Sequence, residues 1–349
     1  MGDFMNNLLI ERINLNSPQK KEVEEFLFKF DLLLDKDVEN TIVARNNNRI
    51  VGTCSSSGSI LKCFAVDSEI QGEGISSKLI TEISNILFDR GIYETFIYTK
   101  PKNKRIFEGL GYKSVHETSE VLLLEGGMAN VKSYVNNMFV KSGLDNRKKS
   151  GIVMNCNPFT EGHRYLIERA ASESEQVVVF IVEENRSLFP FKTRLELVEK
   201  GVADLKNVCV IPGGKYIISS ATFPSYFLRQ EDERLMAYTK LDAGIFGKYI
   251  APAFNIEKRY VGTEPYCRVT GQYNSALMEV LPQYGVEVKL IERFQREGRA
   301  ISASEVRNII RNGTLEELKD LVPETTYDFL ISKEAEEIIE KIKRSDTPH

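Results

Sequence analysis

Two short stretches carry side chains whose types and spacing could do chemistry. The first is Thr160-Glu161-Gly162-His163, which closes the run Gly151-Ile-Val-Met-Asn-Cys-Asn-Pro-Phe-Thr-Glu-Gly-His163. Ile152–Met154 reads as an apolar strand, a short polar loop follows, and a helix is expected after His163. A hydroxyl and an imidazole then stand at the mouth of a sheet beside a helix N-terminus. Unpaired backbone N–H groups and the helix dipole attract phosphate to such a place. The second stretch is Ile301-Ser-Ala-Ser-Glu-Val-Arg307, which begins 138 residues beyond His163. Ser302 can cap a helix whose apolar positions are Val306, Ile309 and Ile310. Ser304 and Arg307 are three apart and share a face, and a hydroxyl with a guanidinium suits phosphate oxygens.

Each stretch has an ordinary reading. Ser302-x-x-Glu305 is a capping box, and a helix could use it for nothing else. A lone histidine is commonly packed or exposed without a role. Both stretches occur together, in order, each at a strand-to-helix junction, and that favours chemistry. The chain has three histidines, His116, His163 and His349, so His163 has little competition as a functional imidazole. Cys156 lies in the same loop. It is a conceivable nucleophile, but a small loop-filling side chain is the favoured reading.

A chain of 349 residues with 42% hydrophobic content is long enough for two domains. A net charge of −4 argues against a mainly electrostatic grip on nucleic acid. No run of 18 apolar residues predicts a membrane span. Met1–Ile10 contains Asp3 and lacks a basic flank, so it is not expected to be a secretion signal. Cys54, Cys63, Cys156, Cys209 and Cys267 show no C-x-x-C spacing, which speaks against a metal site or disulfide framework and fits a reducing cytoplasm.

Residues 1 to about 125 read as mixed α/β. Ser17-Pro18 starts a helix with Val23, Phe26, Leu27 and Phe30 on one face. Thr41–Ala44, Arg49–Cys54, Ile60–Val66, Glu94–Thr99 and Val121–Leu124 read as strands, and Arg105–Gly109 as a short helix. Between two of the strands lies Gln71-Gly72-Glu73-Gly74-Ile75-Ser76, followed by a helix burying Ile75, Leu79, Ile80, Ile83, Ile86 and Leu87. Glycines there let backbone N–H groups approach phosphate at the positive end of that helix. Glu69, Glu73 and Glu94 are candidate bases, each more simply a solvated surface charge.

Ala129–Lys141 reads as a connecting helix and the polar Ser142–Ser150 as a boundary. Beyond it, strands at Ile152–Met154, Val177–Val182, Val208–Ile211, Arg259–Gly262 and Val286–Ile291 alternate with helices. That order predicts a doubly wound parallel sheet, which binds ligands at the carboxyl ends of its strands. Gly262-Thr263-Glu264 falls at such an end, where Thr263 or Glu264 could hydrogen-bond a nucleoside. Lys192 could reach a phosphate or carboxylate, whereas Arg194 is expected to anchor its own helix. The long stretch from Lys215 to Ile256 exceeds a normal loop and must carry structure or substrate contacts.

These motifs carry resemblances. Thr160-x-Gly162-His163 with Ile301-Ser302-x-Ser304-x-x-Arg307 resembles the paired T/H-x-G-H and I-S-x-S/T-x-x-R signatures of the nucleotidyltransferase superfamily. Gln71-x-x-Gly74-x-Ser76, with the run Lys104–Tyr112, resembles the GNAT acetyltransferase fold, Ser76 departing from the usual small residue. Those two domains, the Ser220–Leu228 run, Val261–Pro265 and the two signatures, in one order, are similar to the citrate lyase ligase family.

The resemblance implies a GNAT-like domain over 1–127, a connecting helix and linker over 128–150, and a Rossmann-like nucleotidyltransferase domain over 151–349. It implies ATP as substrate, with Mg²⁺ bridging its phosphates, and acetate as the acid. The partner is the citrate lyase acyl carrier subunit with its dephospho-CoA-derived thiol, and no protein-held metal is expected. His163, Thr160 and Arg307 take the catalytic roles. Asn155, Asn157, Pro158, Phe159, Gly162, Lys192, Gly262, Thr263, Glu264, Ser302 and Ser304 line the ATP site. Gln71, Gly72, Gly74 and Ser76 hold the CoA-like arm. Rival readings are an adenylyltransferase acting on a phosphorylated metabolite, an acetate-dependent tRNA-modifying ligase, and a carrier-docking module that only binds nucleotide.

Overall fold

The computed structural model describes residues 8–70, 74–183, 187–218, 232–263, 268–296 and 299–345. Gln71, Gly72, Glu73, Glu264 and Pro265 lie outside the described residues, as do 219–231 of the long insertion with the Ser220–Leu228 run. The chain forms two compact units, Met1–Tyr134 and Val135–His349.

The first unit runs β1 (Leu8–Arg12), α1 (Gln19–Phe28), β2 (Asn40–Asn46), β3 (Arg49–Ser57), β4 (Ile60–Val66), α2 (Ile75–Phe88), β5 (Glu94–Thr99), α3 (Lys104–Gly109), β6 (Lys113–Glu117) and β7 (Leu122–Gly127). Its seven strands form one sheet in the order β1-β2-β3-β4-β5-β7-β6. Alternation along β2 explains how the helices are distributed. Val43 packs with Val23, Phe26 and Leu27 of α1, whereas Ile42 and Ala44 pack with Ile75, Leu79 and Ile83 of α2. The two helices therefore cover opposite faces. β4 and β5 are parallel and pair only at Ile60↔Phe96 and Leu61↔Ile97, so most of their facing edges are not bonded to each other.

The helix α4 (Val131–Ser142) carries the division between the units. The second unit continues with β8 (Lys149–Met154), α5 (Glu161–Ser172), β9 (Val177–Ile181), α6 (Phe191–Gly201), β10 (Val208–Pro212), α7 (Asp232–Ile245), α8 (Ala251–Phe254), β11 (Ile256–Gly262), α9 (Arg268–Val280) and β12 (Glu287–Ile291). A small hairpin, β13 (Gln295–Arg296) and β14 (Arg299–Ala300), leads to α10 (Ala303–Asn312), α11 (Glu324–Leu330) and α12 (Glu336–Arg344). Five strands form a parallel sheet in the order β10-β9-β8-β11-β12. All five residues of β9, Val177–Ile181, are buried, as a strand covered on both faces requires. Ile167 of α5, Leu197 and Val198 of α6, Val306 and Ile310 of α10 and Ile342 of α12 share one core with Ile152, Val179 and Tyr260. On the other face, Phe180 meets Phe246 and Phe254 edge-on at 6.1 and 5.2 Å.

Four differences from the sequence reading have physical causes. β1 and β6 were not expected, because short edge strands bury too little to show alternation; no residue of β1 is fully buried, and in β6 only Val115 is. β8 begins at Lys149 rather than Ile152. The Lys149 amine, 2% exposed, donates to the carbonyls of Asp145 and Arg147 at 2.5 and 2.6 Å. α5 begins at Glu161, so His163 lies in its first turn and not before it. Finally, α11 and α12 bury their apolar residues in the same core as the sheet, although no motif marked them.

Candidate active site

Thr160 is the N-cap of α5, with extended backbone (φ −128°, ψ 165°). Its hydroxyl accepts from His163 N at 3.4 Å, and His163 Nδ1 reaches back to Thr160 N at 3.1 Å and Thr160 Oγ1 at 2.8 Å. This is a capping box with histidine in the place usually held by Glu or Gln. A backbone amide can only donate, so Nδ1 accepts and the neutral ring carries its proton on Nε2. Burial lowers the imidazole pKa to about 4, and the positive charge of Arg293 adds to the shift. His163 is thus a neutral ring presenting an Nε2–H donor. Phe159, fully buried, holds it from behind, stacked at 6.1 Å and 19°.

The two signatures touch. A Cβ on Gly162 would lie 2.8 Å from the carbonyl oxygen of Ile301, a distance no side chain tolerates. Glycine there lets the first turn of α5 approach the segment that enters α10. Ser302 is the N-cap of α10, its hydroxyl accepting from Glu305 N at 3.1 Å. Arg307, 5% exposed, donates through Nη1 to Asn157 O and through Nη2 to Ser304 Oγ at 3.2 Å. Burial, then the charge of Arg311, lowers its pKa, but a guanidinium stays charged. The structure therefore brings Asn157, Thr160, Gly162, His163, Ser302, Ser304 and Arg307 together, with Arg307 tying the loop to α10.

The carboxyl ends of β11 and β12 add a residue that the sequence reading missed. Arg293, two residues past β12, donates from its backbone N to Thr263 Oγ1 at 3.2 Å and from Nε to Thr263 O at 2.7 Å. Its charge reaches His163. The available signal was position: a cation just beyond the carboxyl end of a parallel strand. Gly262 has open space where a side chain would lie, and its carbonyl accepts from Asn274 at 2.8 Å.

Other expected residues serve the loop itself. Phe159 was expected to line the nucleotide, but its side chain is fully buried against Gly201 and faces the core. Asn157 Oδ1 accepts from Phe189 N at 3.0 Å, and Pro158 follows it across a cis bond. Asn155 exchanges hydrogen bonds with Ser187. Arg194, fully buried, donates to the carbonyls of Phe189, Asn155 and Val182 and to Asn155 Oδ1. It anchors the loop as well as its own helix. Lys192 points outward, 3.9 Å from Glu196. Cys156 is 1% exposed and burial drives its thiol pKa far upward, so it fills space and is no nucleophile.

In the first unit, Gly74 is the N-cap of α2 with φ +73°, a left-handed conformation suited to glycine, and Ser76 lies in the first turn. Among the described residues, no group of three or more His, Cys, Asp or Glu is placed to hold a metal ion. No described helix is long and apolar enough to cross a membrane.

A GNAT-type unit followed by a parallel-sheet unit in which the starts of α5 and α10 meet defines a two-domain ligase. Residues 15–122 match the acetyltransferase (GNAT) domain and residues 149–330 the citrate lyase ligase C-terminal domain. The citrate (pro-3S)-lyase ligase of Klebsiella pneumoniae is 36% identical over 333 residues, which cover 93% of this chain and 96% of that relative. The ligase of Escherichia coli K12 is 35% identical over 333 residues, 94% of each chain. That of Haemophilus influenzae is 35% identical over 327 residues, 92% and 97% of the two chains. The chain belongs to the citrate lyase ligase family.

Proposed function

We propose that this protein uses ATP and acetate to acetylate the thiol of the dephospho-CoA-derived group on the citrate lyase acyl carrier subunit, through acetyl-AMP. The observation that supports this reading is the close approach of Gly162 to Ile301, which brings the starts of α5 and α10 together. An acetate oxygen attacks the α-phosphorus, the bond to the bridging oxygen breaks, and pyrophosphate leaves. The thiolate then attacks the acetyl carbon and AMP leaves.

His163 Nε2–H donates to an α-phosphate oxygen, where its neutral state at physiological pH makes it a hydrogen-bond donor and not an acid. Thr160 orients that ring. Ser302, Ser304 and the N-terminus of α10 receive the β- and γ-phosphates, with Arg307 holding the loop against them. Thr263, Gly262 and Glu264 meet the nucleoside, and Lys192 on the first turn of α6 swings to the phosphates. Mg²⁺ on the phosphate oxygens would supply charge neutralisation. Catalysis of the first step is positioning and charge stabilisation. In the first unit, the loop from Gln71 and Gly72 through Gly74 to Ser76 holds the phosphates of the CoA-like arm. The labour divides between residues 1–127 for the arm and 151–349 for adenylation, joined by 128–150.

The test is acetate-dependent ATP–pyrophosphate exchange by the purified protein, followed by addition of the carrier subunit with and without its thiol group. Exchange that needs acetate, and acetyl transfer that needs the thiol, are expected. Exchange independent of acetate, or transfer to a carrier lacking the thiol, would contradict the proposal.

A further inference from the structure

The sheet face opposite α5 holds a charged cluster that the nucleotide site does not use. On β11, Tyr260 points towards α5 and its hydroxyl donates to Glu173 at 3.0 Å. Alternation turns the preceding residue, Arg259, to the other face. There its guanidinium lies 4.4 Å from the centroid of the Phe246 ring. Gly151 on the neighbouring strand makes room for that ring, since a Cβ there would stand 3.3 Å from Phe246 Cζ. Arg259 is 1% exposed, and among the described residues its buried Nε and Nη1 have no hydrogen-bond partner. A buried guanidinium without acceptors is strongly unfavourable, and proteins pair such groups.

Among the described residues, the neighbouring groups do not supply the missing acceptor. Asp242, 2% exposed, accepts from Ile218 N at 2.9 Å through Oδ1 and from Tyr273 Oη at 2.7 Å through Oδ2. Burial lowers the Arg259 pKa, and the fields of Tyr273 and Asp242 partly restore it. The cluster therefore balances charge at a distance while leaving donors unmet. The buried carboxylate of Asp242 disfavours a further doubly charged anion.

We propose that Arg259 is the anchor of a small-carboxylate site on this face, bordered by Phe246, Asp242 and Tyr273. A monoanionic carboxylate accepts from the guanidinium N–H groups that otherwise lack acceptors. Only the identity of the occupant rests on the proposed function: acetate is the acid that reaction consumes. A separate small carboxylate acting as an effector would use the same chemistry.

The experiment compares thermal unfolding of the full chain in sodium acetate and in sodium chloride of equal ionic strength at neutral pH, for wild type, Arg259→Met and Arg259→Lys. Acetate and ATP KM values in the exchange assay are measured in parallel. Acetate is expected to raise the wild-type Tm saturably. Arg259→Met should lose that shift while matching or exceeding the wild-type Tm in chloride, because an unpaired buried charge has been removed. A rise in acetate KM of about tenfold or more, with ATP KM unchanged, marks the substrate acid as the occupant. Loss of the shift with unchanged acetate KM marks an effector carboxylate and equally supports the site. Persistence of the full shift in Arg259→Met overturns the proposal, as does a wild type with no shift. Should Arg259→Met not fold, an unweakened shift in Arg259→Lys, which keeps charge but loses the planar fork, overturns it. An Arg259-dependent shift without any acetate-dependent exchange would retire the proposed function and leave the site standing.

Discussion

Arg307 donates a hydrogen bond to the carbonyl of Asn157, 150 residues earlier in the chain. The loop after β8 and the helix α10 are thereby fastened together near the starts of α5 and α10. Arg307→Ala removes this bond and the one to Ser304, leaving a carbonyl without its charged donor. Hydrogen bonds to charged groups contribute about 1.5–3 kcal/mol each. The expected result is a fall of about 100-fold in kcat/KM for ATP in the exchange assay. Arg307→Lys should recover little, because an ammonium lacks the planar fork. Unimpaired exchange in Arg307→Ala would show that the fastening is irrelevant to activity.

Gly162 makes the second direct contact between the signatures. Gly162→Ala places a methyl 2.8 Å from Ile301 O, and both backbones are fixed by flanking helices. Overpacking of this kind costs about 1–3 kcal/mol. For a unit of this size that corresponds to a Tm loss of roughly 2–4 °C per kcal/mol. Differential scanning calorimetry checks it, and an unchanged Tm would mean that the two segments separate freely.

His163→Gln separates the structural role of the residue from its chemistry. Glutamine at the third helical position can reach back to the N-cap as histidine does, so the variant should fold with Tm near that of the wild type. With the imidazole Nε2–H donor lost from its position, acetate-dependent exchange should fall by about 10²–10³-fold. Exchange at the wild-type rate in the folded variant would remove His163 from the mechanism.

The same ring predicts a pH dependence of stability. Folded His163 has a pKa lowered to about 4, whereas the unfolded imidazole titrates near 6.5. Between those values the unfolded chain binds the extra proton. The stabilisation is therefore complete above about pH 6.5 and is lost as pH falls towards 4. Wild-type Tm should drop more steeply than that of His163→Gln between pH 7 and 5, and parallel curves would contradict the assignment.

Gly74 tests the division of labour. Gly74→Glu sets a carboxylate beside the N-terminus of α2 and forces a side chain into φ +73°, at a cost of about 1–2 kcal/mol. Acetyl-AMP formation should survive and transfer to the carrier thiol should fail. Equal loss of both half-reactions, with the protein folded, would place both steps in one unit.

The legible part of the site was the part written in local pattern. Thr160 to His163 and Ser302 to Arg307 announce helix starts, and alternating strands and helices announce the parallel sheet. What escaped depends on three-dimensional neighbours. Phe159 looks like any loop aromatic until the fold buries it behind His163. Arg293 follows an edge strand and gains meaning only through Thr263, which is brought beside it by pairing of β11 with β12. Arg307 could be read as a phosphate ligand, but its bond to Asn157 depends on a tertiary contact no spacing encodes. β1 and β6 escaped because edge strands bury too little to show alternation.

On the proposed function, one triphosphate lies between the α5 and α10 helix starts. A crystal structure with a non-hydrolysable ATP analogue tests it most directly. An α-phosphate oxygen within hydrogen-bond reach of His163 Nε2, and the outer phosphates at Ser302 and Ser304, are the expected result. A triphosphate bound elsewhere, with His163 and the start of α10 untouched, would contradict it.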